Sequence, residues 1–165
     1  MRAYRYVGSE EIARHAQAAI ERLQPASPAD LRAWAARTKR NALEFTYVVD
    51  VDGLLWLSDR RTEHVTCARG AKVLGAGELR VDVGPERVTI ASVTNQSTGY
   101  CPEPDCWPAV RDALGRAGLE PPPAFTYVFR YRRCPTCRGI NILKDAMPEC
   151  PRCGTELPAA WNLED

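Results

Sequence analysis

Two pairs of cysteines near the end of the chain could hold a metal ion. Cys134 and Cys137 form one Cys-Pro-x-Cys turn, and Cys150 and Cys153 form a second, twelve residues further on. Each turn can present two thiolates to one ion, and two such turns supply the four ligands of a tetrahedral zinc site. A zinc ion with four thiolate ligands has no open coordination position. We therefore expect one structural zinc per chain and no catalytic metal at this site.

The same spacing resembles that of zinc ribbons, small modules in which two cysteine turns share one zinc ion. The resemblance implies a ribbon over residues 134–158, followed by a tail over residues 159–165. A dithiol redox centre is the competing interpretation, since Cys-x-x-Cys pairs also occur in thioredoxin-like proteins. Two pairs together, without a βαβ pattern around them, favour the structural zinc.

Histidine and carboxylate side chains upstream of the cysteine pairs could support acid–base chemistry. In the polar stretch of residues 60–67, Glu63 or His64 could act as the acid or base, with Glu78 as a carboxylate partner. Asn95 and Tyr100 could orient the substrate. Neighbouring residues of a strand point to opposite faces, so Glu63 and His64 could not orient each other if this stretch were extended. A single histidine is also often structural. An enzyme, either a hydrolase or a transferase, is therefore an alternative interpretation.

Polar side chains in two loops, residues 60–67 and 95–100, could bind a partner protein or a polar small molecule. The same composition also suits turns whose side chains bond to their own backbone. The candidates for ligand binding in these loops are Arg60, Arg61, Asn95, Ser97 and Tyr100.

Three further cysteines, Cys67, Cys101 and Cys106, stand apart from the two pairs. With His64 they could form a second zinc site if the two loops met, but the gap between Cys101 and Cys106 is wide for paired ligands. A pairing of Cys67 as nucleophile with His64 would require a lowered thiol pKa. We expect instead that these cysteines are buried free thiols.

The composition limits the classes of partner. The chain has 165 residues, with 22 Lys and Arg against 21 Asp and Glu and a net charge of +1. Such a balance does not attract nucleic acid or an anionic membrane, so nucleic-acid binding would need a local patch. The basic stretch 130–138, which contains Tyr131 and directly follows Phe129, could be such a patch. Acidic residues around the ribbon offset its charge, so nucleic acid is not the favoured partner.

The sequence shows no apolar segment long enough to cross a membrane. Nowhere do about 18 apolar residues follow one another, which is the length that a membrane-spanning helix needs. The first residues also lack the apolar segment and cleavage site of a secretory signal. Because the cysteine pairs suit a reducing compartment, we expect a soluble, cytoplasmic protein without a membrane partner.

Helical periodicity predicts an N-terminal helical pair within residues 9–39. Its first helix runs from Ser9 to Gln24, and its second is capped by Ser27 with Pro28 in the first turn. A third helix is predicted from Trp107 to Ala117, and Gly118 ends it. The chain therefore begins with helices and places one more after the strands.

Alternation of apolar residues predicts a mainly antiparallel sheet with one packed helix within residues 43–133. The fold class is thus α+β, with a domain over residues 1–133 and the ribbon appended. An Asp52-Gly53 turn indicates a hairpin, and residues 59–67 read as an irregular stretch. The predicted strands are residues 43–51, 54–57, 78–83, 87–93 and 125–131.

Residues 75–81 and 93–100, followed by Pro102, resemble an Ala-Gly-Glu strand and an Asn-x-Ser-Gly-His-Tyr-x-Pro loop of other families. This combination occurs in domains of bacterial polymorphic-toxin-type proteins and of plant calmodulin-binding IQ-motif proteins. The resemblance covers residues 52–118, but Gly99 stands where those families have the loop histidine. An activity that depends on that histidine is therefore lost here or supplied by His64. The whole chain also resembles bacterial proteins of unknown activity that end in a zinc ribbon.

These observations together predict a zinc-containing bacterial protein that acts as a binding or adaptor module for a protein or a polar ligand. The alternatives are an enzyme with its site in loops 60–67 and 95–100, and nucleic-acid binding through residues 130–138.

Overall fold

An antiparallel sheet of four strands is the centre of the fold. This computed structural model describes residues 1–16, 20–144 and 148–164. The strands lie in the order β2-β1-β3-β4, and each neighbouring pair is antiparallel. The predicted α+β class is confirmed. The strand bounds are Ala42–Asp50 for β1, Leu55–Asp59 for β2, Val73–Val83 for β3 and Val88–Val93 for β4.

The predicted hairpin between β1 and β2 is present, and local signals explain its turn. Gly53 has a φ of +78°, a conformation that glycine adopts at little cost. The carboxylate of Asp50 accepts hydrogen bonds from the backbone amides of Asp52 and Leu54, at 3.0 and 2.9 Å. The turn therefore fixes the register in which Val49 lies opposite Leu55.

β3 is longer than the sequence pattern indicates, because it begins at Val73 and not at Glu78. A Cβ at Gly77 would overlap the carbonyl of Thr94, and one at Gly75 would lie 2.7 Å from Val110. The strand has glycine where another backbone segment and a helix approach it closely. The alternation of apolar side chains that reveals a strand is consequently missing from this part of β3.

The second predicted helix is confirmed as α2 (Pro28–Thr38). Ser27 caps it, and Asp30 completes a capping box by accepting from the backbone of Ser27. The ring of Trp34 packs edge-on against Phe45 of β1, with 5.4 Å between centroids. α2 therefore covers the face of the sheet to which Phe45 points.

The third predicted helix is confirmed as α4 (Trp107–Arg116), which follows a short 3-10 turn at Pro104–Cys106. Gly118 has a φ of +74° just beyond its end, as expected of a residue that terminates a helix. The buried face of α4 includes Val110 and Leu114. It packs on the sheet beside α2, so both helices share one core.

The prediction of a helix from Ser9 to Gln24 was wrong in its length. α1 spans Glu10–Arg14 and is capped by Ser9; residues 17–19 of the predicted helix lie outside the described residues. Further on, Leu23 exchanges two backbone hydrogen bonds of 2.8 Å with Leu57 of β2. An extended segment at the sheet edge thus replaces the end of the predicted helix, because tertiary pairing outweighs local helical spacing.

The stretch 59–67, predicted to be irregular, contains the short helix α3 (His64–Cys67). The hydroxyl of Thr46 in β1 donates to the carbonyls of Arg60 and Thr62, at 3.3 and 2.9 Å. Thr46 and Phe45 are neighbours on a strand, so they point to opposite faces. The segment with α3 therefore covers part of the sheet face opposite α2 and α4.

The last predicted strand, residues 125–131, was also wrong in its bounds. β5 (Tyr131–Arg133) pairs with β6 (Ile140–Ile142) in a separate two-stranded sheet. Upstream, Tyr127 makes only an isolated bridge to Thr94 at the edge of β4. The side-chain amide of Asn95 binds both backbone groups of Phe129, which replaces the strand partner that residues 125–131 would need.

The segment predicted to be a tail packs against the beginning of the chain. Leu163 is buried with Cys101 and Tyr131, and the ring of Trp161 contacts that of Tyr4 with 5.5 Å between centroids. The indole Nε1 of Trp161 donates to the carbonyl of Cys101 at 2.9 Å. Residues near both ends of the chain therefore contribute to the packing around β5.

Candidate metal centre and sheet-face cleft

The four paired cysteines converge on one point. Their Sγ atoms all lie within 4.8 Å of one another. The Sγ atoms of Cys134 and Cys153 are 3.5 Å apart, and those of Cys137 and Cys150 are 3.6 Å apart. Each of these short distances joins one cysteine of the first pair to one of the second. The two turns therefore face each other and together could hold one metal ion.

Each cysteine pair sits on a turn closed by backbone hydrogen bonds. The amide of Arg138 donates to the carbonyl of Cys134 at 3.0 Å, and that of Gly154 donates to the carbonyl of Cys150 at 2.8 Å. Both donors have positive φ, 62° for Arg138 and 72° for Gly154. The two turns thus repeat one backbone geometry, which directs the cysteine side chains toward each other.

Hydrogen bonds around the sulfur atoms lower the thiol pKa of Cys150 and Cys153, whereas those to the neighbouring thiols raise the pKa of Cys137 to about 11. The backbone amide of Cys137 donates to the Sγ of Cys134 at 3.5 Å, and the side-chain amide of Asn141 donates to the Sγ of Cys150 at 3.7 Å. The hydroxyl and backbone of Thr155 hydrogen bond to Cys153 and lower the pKa of its thiol to about 6. The two amide donors, from the backbone of Cys137 and the side chain of Asn141, can orient metal ligands and stabilise their charge.

The sulfur geometry fits a tetrahedral ion. With zinc–sulfur bonds of about 2.3 Å, the sulfur atoms of a regular tetrahedron are about 3.8 Å apart. The two short distances of 3.5 and 3.6 Å are close to that value. Tetrahedral sites with four sulfur ligands take zinc or iron. An ion held by all four cysteines would have four protein ligands, which leaves no position for a substrate.

The metal-binding segment is anchored by a buried arginine. Arg132 is 3% exposed and forms an ion pair of 2.8 Å with Glu103, in the loop before α4. It also donates to the carbonyls of Pro158 and Ala159. This network joins β5 to the main sheet domain on one side and to the C-terminal segment on the other.

The basic stretch 130–138 does not present a continuous row of exposed arginines. Arg132 is buried in the ion pair with Glu103, and Arg133 is half-buried. Arg130 and Arg138 are exposed, and the backbone of Arg133 bonds to the side chain of Asn162. Part of the charge that suggested a nucleic-acid surface is therefore used inside the fold.

His64 contacts the sheet and not Glu63. Its Nε2 lies 2.9 Å from the carbonyl oxygen of Gly77, and burial lowers the pKa of its imidazole. Glu63 is exposed at the start of α3 and makes no capping hydrogen bond. Glu78 is exposed on β3. No hydrogen bond or ion pair joins His64 to either carboxylate in the part of the chain that the structure describes.

Three of the predicted ligand-binding residues are buried and bonded within the protein. Asn95 donates to the carbonyls of Pro102 and Phe129 and accepts from the amide of Phe129, at 2.6 to 2.8 Å. The hydroxyl of Ser97 accepts from the amide of Tyr100, whose own hydroxyl donates to the carbonyl of Ala71 at 2.7 Å. These polar groups hold the loops together.

Two other predicted residues, Arg60 and Glu78, line a cleft on the open part of the sheet face. This sheet-face cleft encloses about 220 Å³. Arg61 is exposed on the same loop but does not line it. The side chains that give the cleft its character are Glu44, Arg60, Glu78, Arg80, Ser92, Gln96, Tyr127 and Phe129.

Sequence reasoning missed most of this cleft. Glu44 of β1 and Ser92 of β4 lie directly opposite Arg80 of β3, so all three point to one face. The alternation of charged and apolar residues along β1 and β3 was the available signal. Nothing in the sequence indicated that Tyr127 and Phe129 would form one wall of the cleft.

The three other cysteines do not form a second metal site. Among residues 1–16, 20–144 and 148–164, the four paired cysteines are the only group of three or more clustered metal-ligating side chains. Burial raises the pKa of the Cys67 thiol, and it raises the pKa values of Cys101 and Cys106 to about 12. These protonated thiols pack as apolar side chains.

Searches for related proteins add no assignment. The sequence matches no protein-family model, and no match is found among curated proteins or solved structures. The resemblance of residues 52–118 to toxin-type and IQ-motif domains therefore has no support from these comparisons. Within the described ranges, no helix combines the length and apolar character needed to cross a membrane.

Proposed function

We propose that this protein is a zinc-containing binding module, in which zinc has a structural role and a polar ligand binds in the sheet-face cleft. The observation that carries the structural role is the closed set of four sulfur ligands, which leaves no coordination position for chemistry. Zinc is the metal that we assign, because paired Cys-x-x-Cys turns of this spacing are typical of structural zinc sites.

Metal analysis of the purified full chain tests the zinc assignment. We expect one zinc ion per chain, lost when Cys134 and Cys150 are both replaced by serine, since two remaining thiolates cannot hold a closed site. Cys67→Ala is the matched control because Cys67 is a free cysteine far along the chain from the cluster, and it should keep the zinc. Iron in place of zinc, or no metal, would contradict the assignment.

The support for ligand binding comes from the charged groups in the cleft. Glu78 and Arg80 have exposed side chains on the open sheet face. Exposed charges beside a concave surface with an aromatic wall suit recognition of a small polar molecule. The described residues that line the cleft include no histidine and no cluster of metal ligands, which favours binding over catalysis.

A thermal-shift screen of small charged molecules tests this binding function. We expect at least one compound to raise the unfolding temperature of the full chain, and to lose this effect with the double variant Glu78→Gln/Arg80→Met. Compounds that stabilise both proteins equally, or a screen without any stabilising compound, would contradict binding in the cleft.

The other two interpretations have less support. An enzyme site would need His64 to face Glu63, Glu78 or a cleft, whereas its Nε2 is bonded to the carbonyl of Gly77. Nucleic-acid binding would need exposed arginines along residues 130–138, and Arg132 is buried. Free thiols and a thiolate zinc site suit a reducing compartment, so a cytoplasmic location is part of the proposal.

A further inference from the structure

Two side chains of opposite charge stand side by side on the floor of the sheet-face cleft. Glu78 and Arg80 are two residues apart on β3, so both point to the same face. A strand advances about 3.3 Å per residue, which separates their Cα atoms by about 7 Å. Within the described residues, neither side chain takes part in a salt bridge. Both charges are therefore available to a ligand.

The remaining charges of the cleft neutralise each other. Arg60 donates to the carboxylate of Glu44 at 2.5 Å. Apart from these two residues, Glu78 and Arg80 are the only charged residues among the described residues that line the cleft. Glu78 and Arg80 form no salt bridge among the described residues, although Glu44 lies opposite Arg80 and Glu78 acts electrostatically on Arg60. Of the four charged side chains, they are the carboxylate and the guanidinium that a ligand can engage without breaking an existing ion pair. The complementary ligand carries one positive and one negative charge at short separation.

Aromatic side chains form one wall of the cleft, and backbone bonds hold them in place. Phe129 is fixed by the amide of Asn95 and stacks on Tyr131, with 6.5 Å between ring centroids. Tyr127 is 64% exposed, although its backbone is bridged to Thr94. An exposed aromatic ring beside a half-buried one offers a surface on which another ring can pack.

The size of the cleft limits the ligand. Its volume of about 220 Å³ is below the range of about 300 to 1,000 Å³ that is usual for sites of drug-sized molecules. A nucleotide or a long peptide would extend beyond it, whereas a single amino acid has a suitable size.

Building on the proposed binding function, we infer that the sheet-face cleft binds an aromatic α-amino acid as a zwitterion. Arg80 receives the carboxylate, Glu78 receives the ammonium group, and the ring packs against Phe129 and Tyr127. Arg60 and Glu44, which are paired with each other, also line the cleft. This arrangement distinguishes an amino acid from an acid or an amine, because each of these leaves one charge of the protein without a partner.

Isothermal titration calorimetry on the zinc-loaded full chain tests the ligand class. The probes are phenylalanine, tyrosine and tryptophan, together with phenylpropionate, which lacks the ammonium group, and phenethylamine, which lacks the carboxylate. We expect saturable binding of at least one amino acid. Each analogue should bind about tenfold more weakly or worse than phenylalanine, because hydrogen bonds between charged groups are among the strong ones.

Variants assign the two charges. Glu78→Gln should weaken binding of the amino acid and of phenethylamine, and leave that of phenylpropionate unchanged. Arg80→Met should weaken binding of the amino acid and of phenylpropionate, and leave that of phenethylamine unchanged. Asp82→Asn is the matched control, since Asp82 is exposed on the same face of β3 but does not line the cleft. This variant should bind the amino acid as tightly as the unmodified protein does.

The outcomes separate this inference from the proposed function. Absence of saturable binding at millimolar concentration, equal binding of phenylpropionate, or binding unaffected by Glu78→Gln and Arg80→Met would each overturn the amino-acid assignment. If the thermal-shift screen still finds a compound that depends on Glu78 and Arg80, the binding function stands with another ligand. If the screen finds none, the binding function fails as well.

Discussion

Asn95 uses its side-chain amide in the way that a neighbouring strand uses its backbone. It both donates to and accepts from Phe129, at 2.6 and 2.8 Å, and it donates to the carbonyl of Pro102. Its side chain is completely buried. A residue that the sequence offers as a ligand-binding candidate therefore holds the aromatic wall of the cleft in position.

Replacing Asn95 by alanine should destabilise the protein by about 2 to 4 kcal/mol, because two carbonyls and one amide lose their partners in a buried site. Urea unfolding measures the change in the free energy of unfolding. Gln96→Ala is the matched control, since Gln96 is only half-buried and its loss should cost under about 0.5 kcal/mol. Equal effects of the two substitutions would contradict this role of Asn95.

His64 should make the stability of the protein depend on pH. Burial lowers the pKa of its imidazole in the folded state, whereas an unfolded chain titrates near 6.5. The unfolded state then binds the proton more readily, so the contribution of His64 to stability is present above about pH 6.5 and is lost as the pH falls from there through the lowered pKa of the folded state.

The free energy of unfolding, measured from pH 8 to pH 5, should therefore decrease more for the unmodified protein than for His64→Gln. Glutamine can still donate a hydrogen bond toward the carbonyl of Gly77 but does not titrate. Identical pH profiles for the two proteins would show that His64 is not the group responsible.

At the scale of elements, the sequence predicts those parts whose signals are local. The capping box of α2, the Asp50 carboxylate in the β1–β2 turn and Gly118 after α4 all act within a few residues. The cysteine pairs belong to the same class, since each turn positions its own thiolates. These features could be predicted because their partners lie nearby in the chain.

Elements that depend on distant partners could not be predicted from periodicity. Leu23 is extended because Leu57 pairs with it, and residues 125–131 do not form one strand because Asn95 replaces a strand partner. The cleft arises in the same way, from β1, β3, β4 and the segment with Tyr127. Sequence alone identified only Arg60 and Glu78 of its charged residues.

The ion pair between Arg132 and Glu103 links the metal-binding segment to the sheet domain. Glu103→Gln should destabilise the protein by about 3 kcal/mol, because Arg132 would keep its charge in a buried position without a counterion. Glu164→Gln is a matched control in the exposed pair with Arg2, and exposed pairs contribute about 0 to 1 kcal/mol. Chemical denaturation compares the two, and similar small losses would contradict the anchoring role.

At the scale of the whole molecule, the two ends of the chain and the metal-binding segment are packed together. Arg2 lies over the ring of Trp161 at 4.6 Å, and Leu163 is buried beside Tyr131 of β5. The small sheet of β5 and β6 has only three residues in each strand, so a metal ion would stabilise it substantially. The position of the cysteine cluster therefore supports a structural metal that holds the C-terminal segment on the sheet domain.

X-ray absorption at the zinc edge of the purified protein is the decisive measurement for a structural metal. We expect four sulfur neighbours at about 2.3 Å and no nitrogen or oxygen ligand, unchanged when the charged groups of the cleft are replaced by Glu78→Gln and Arg80→Met. A spectrum with fewer sulfur neighbours and a water or other light ligand would indicate an open metal site and contradict the structural role.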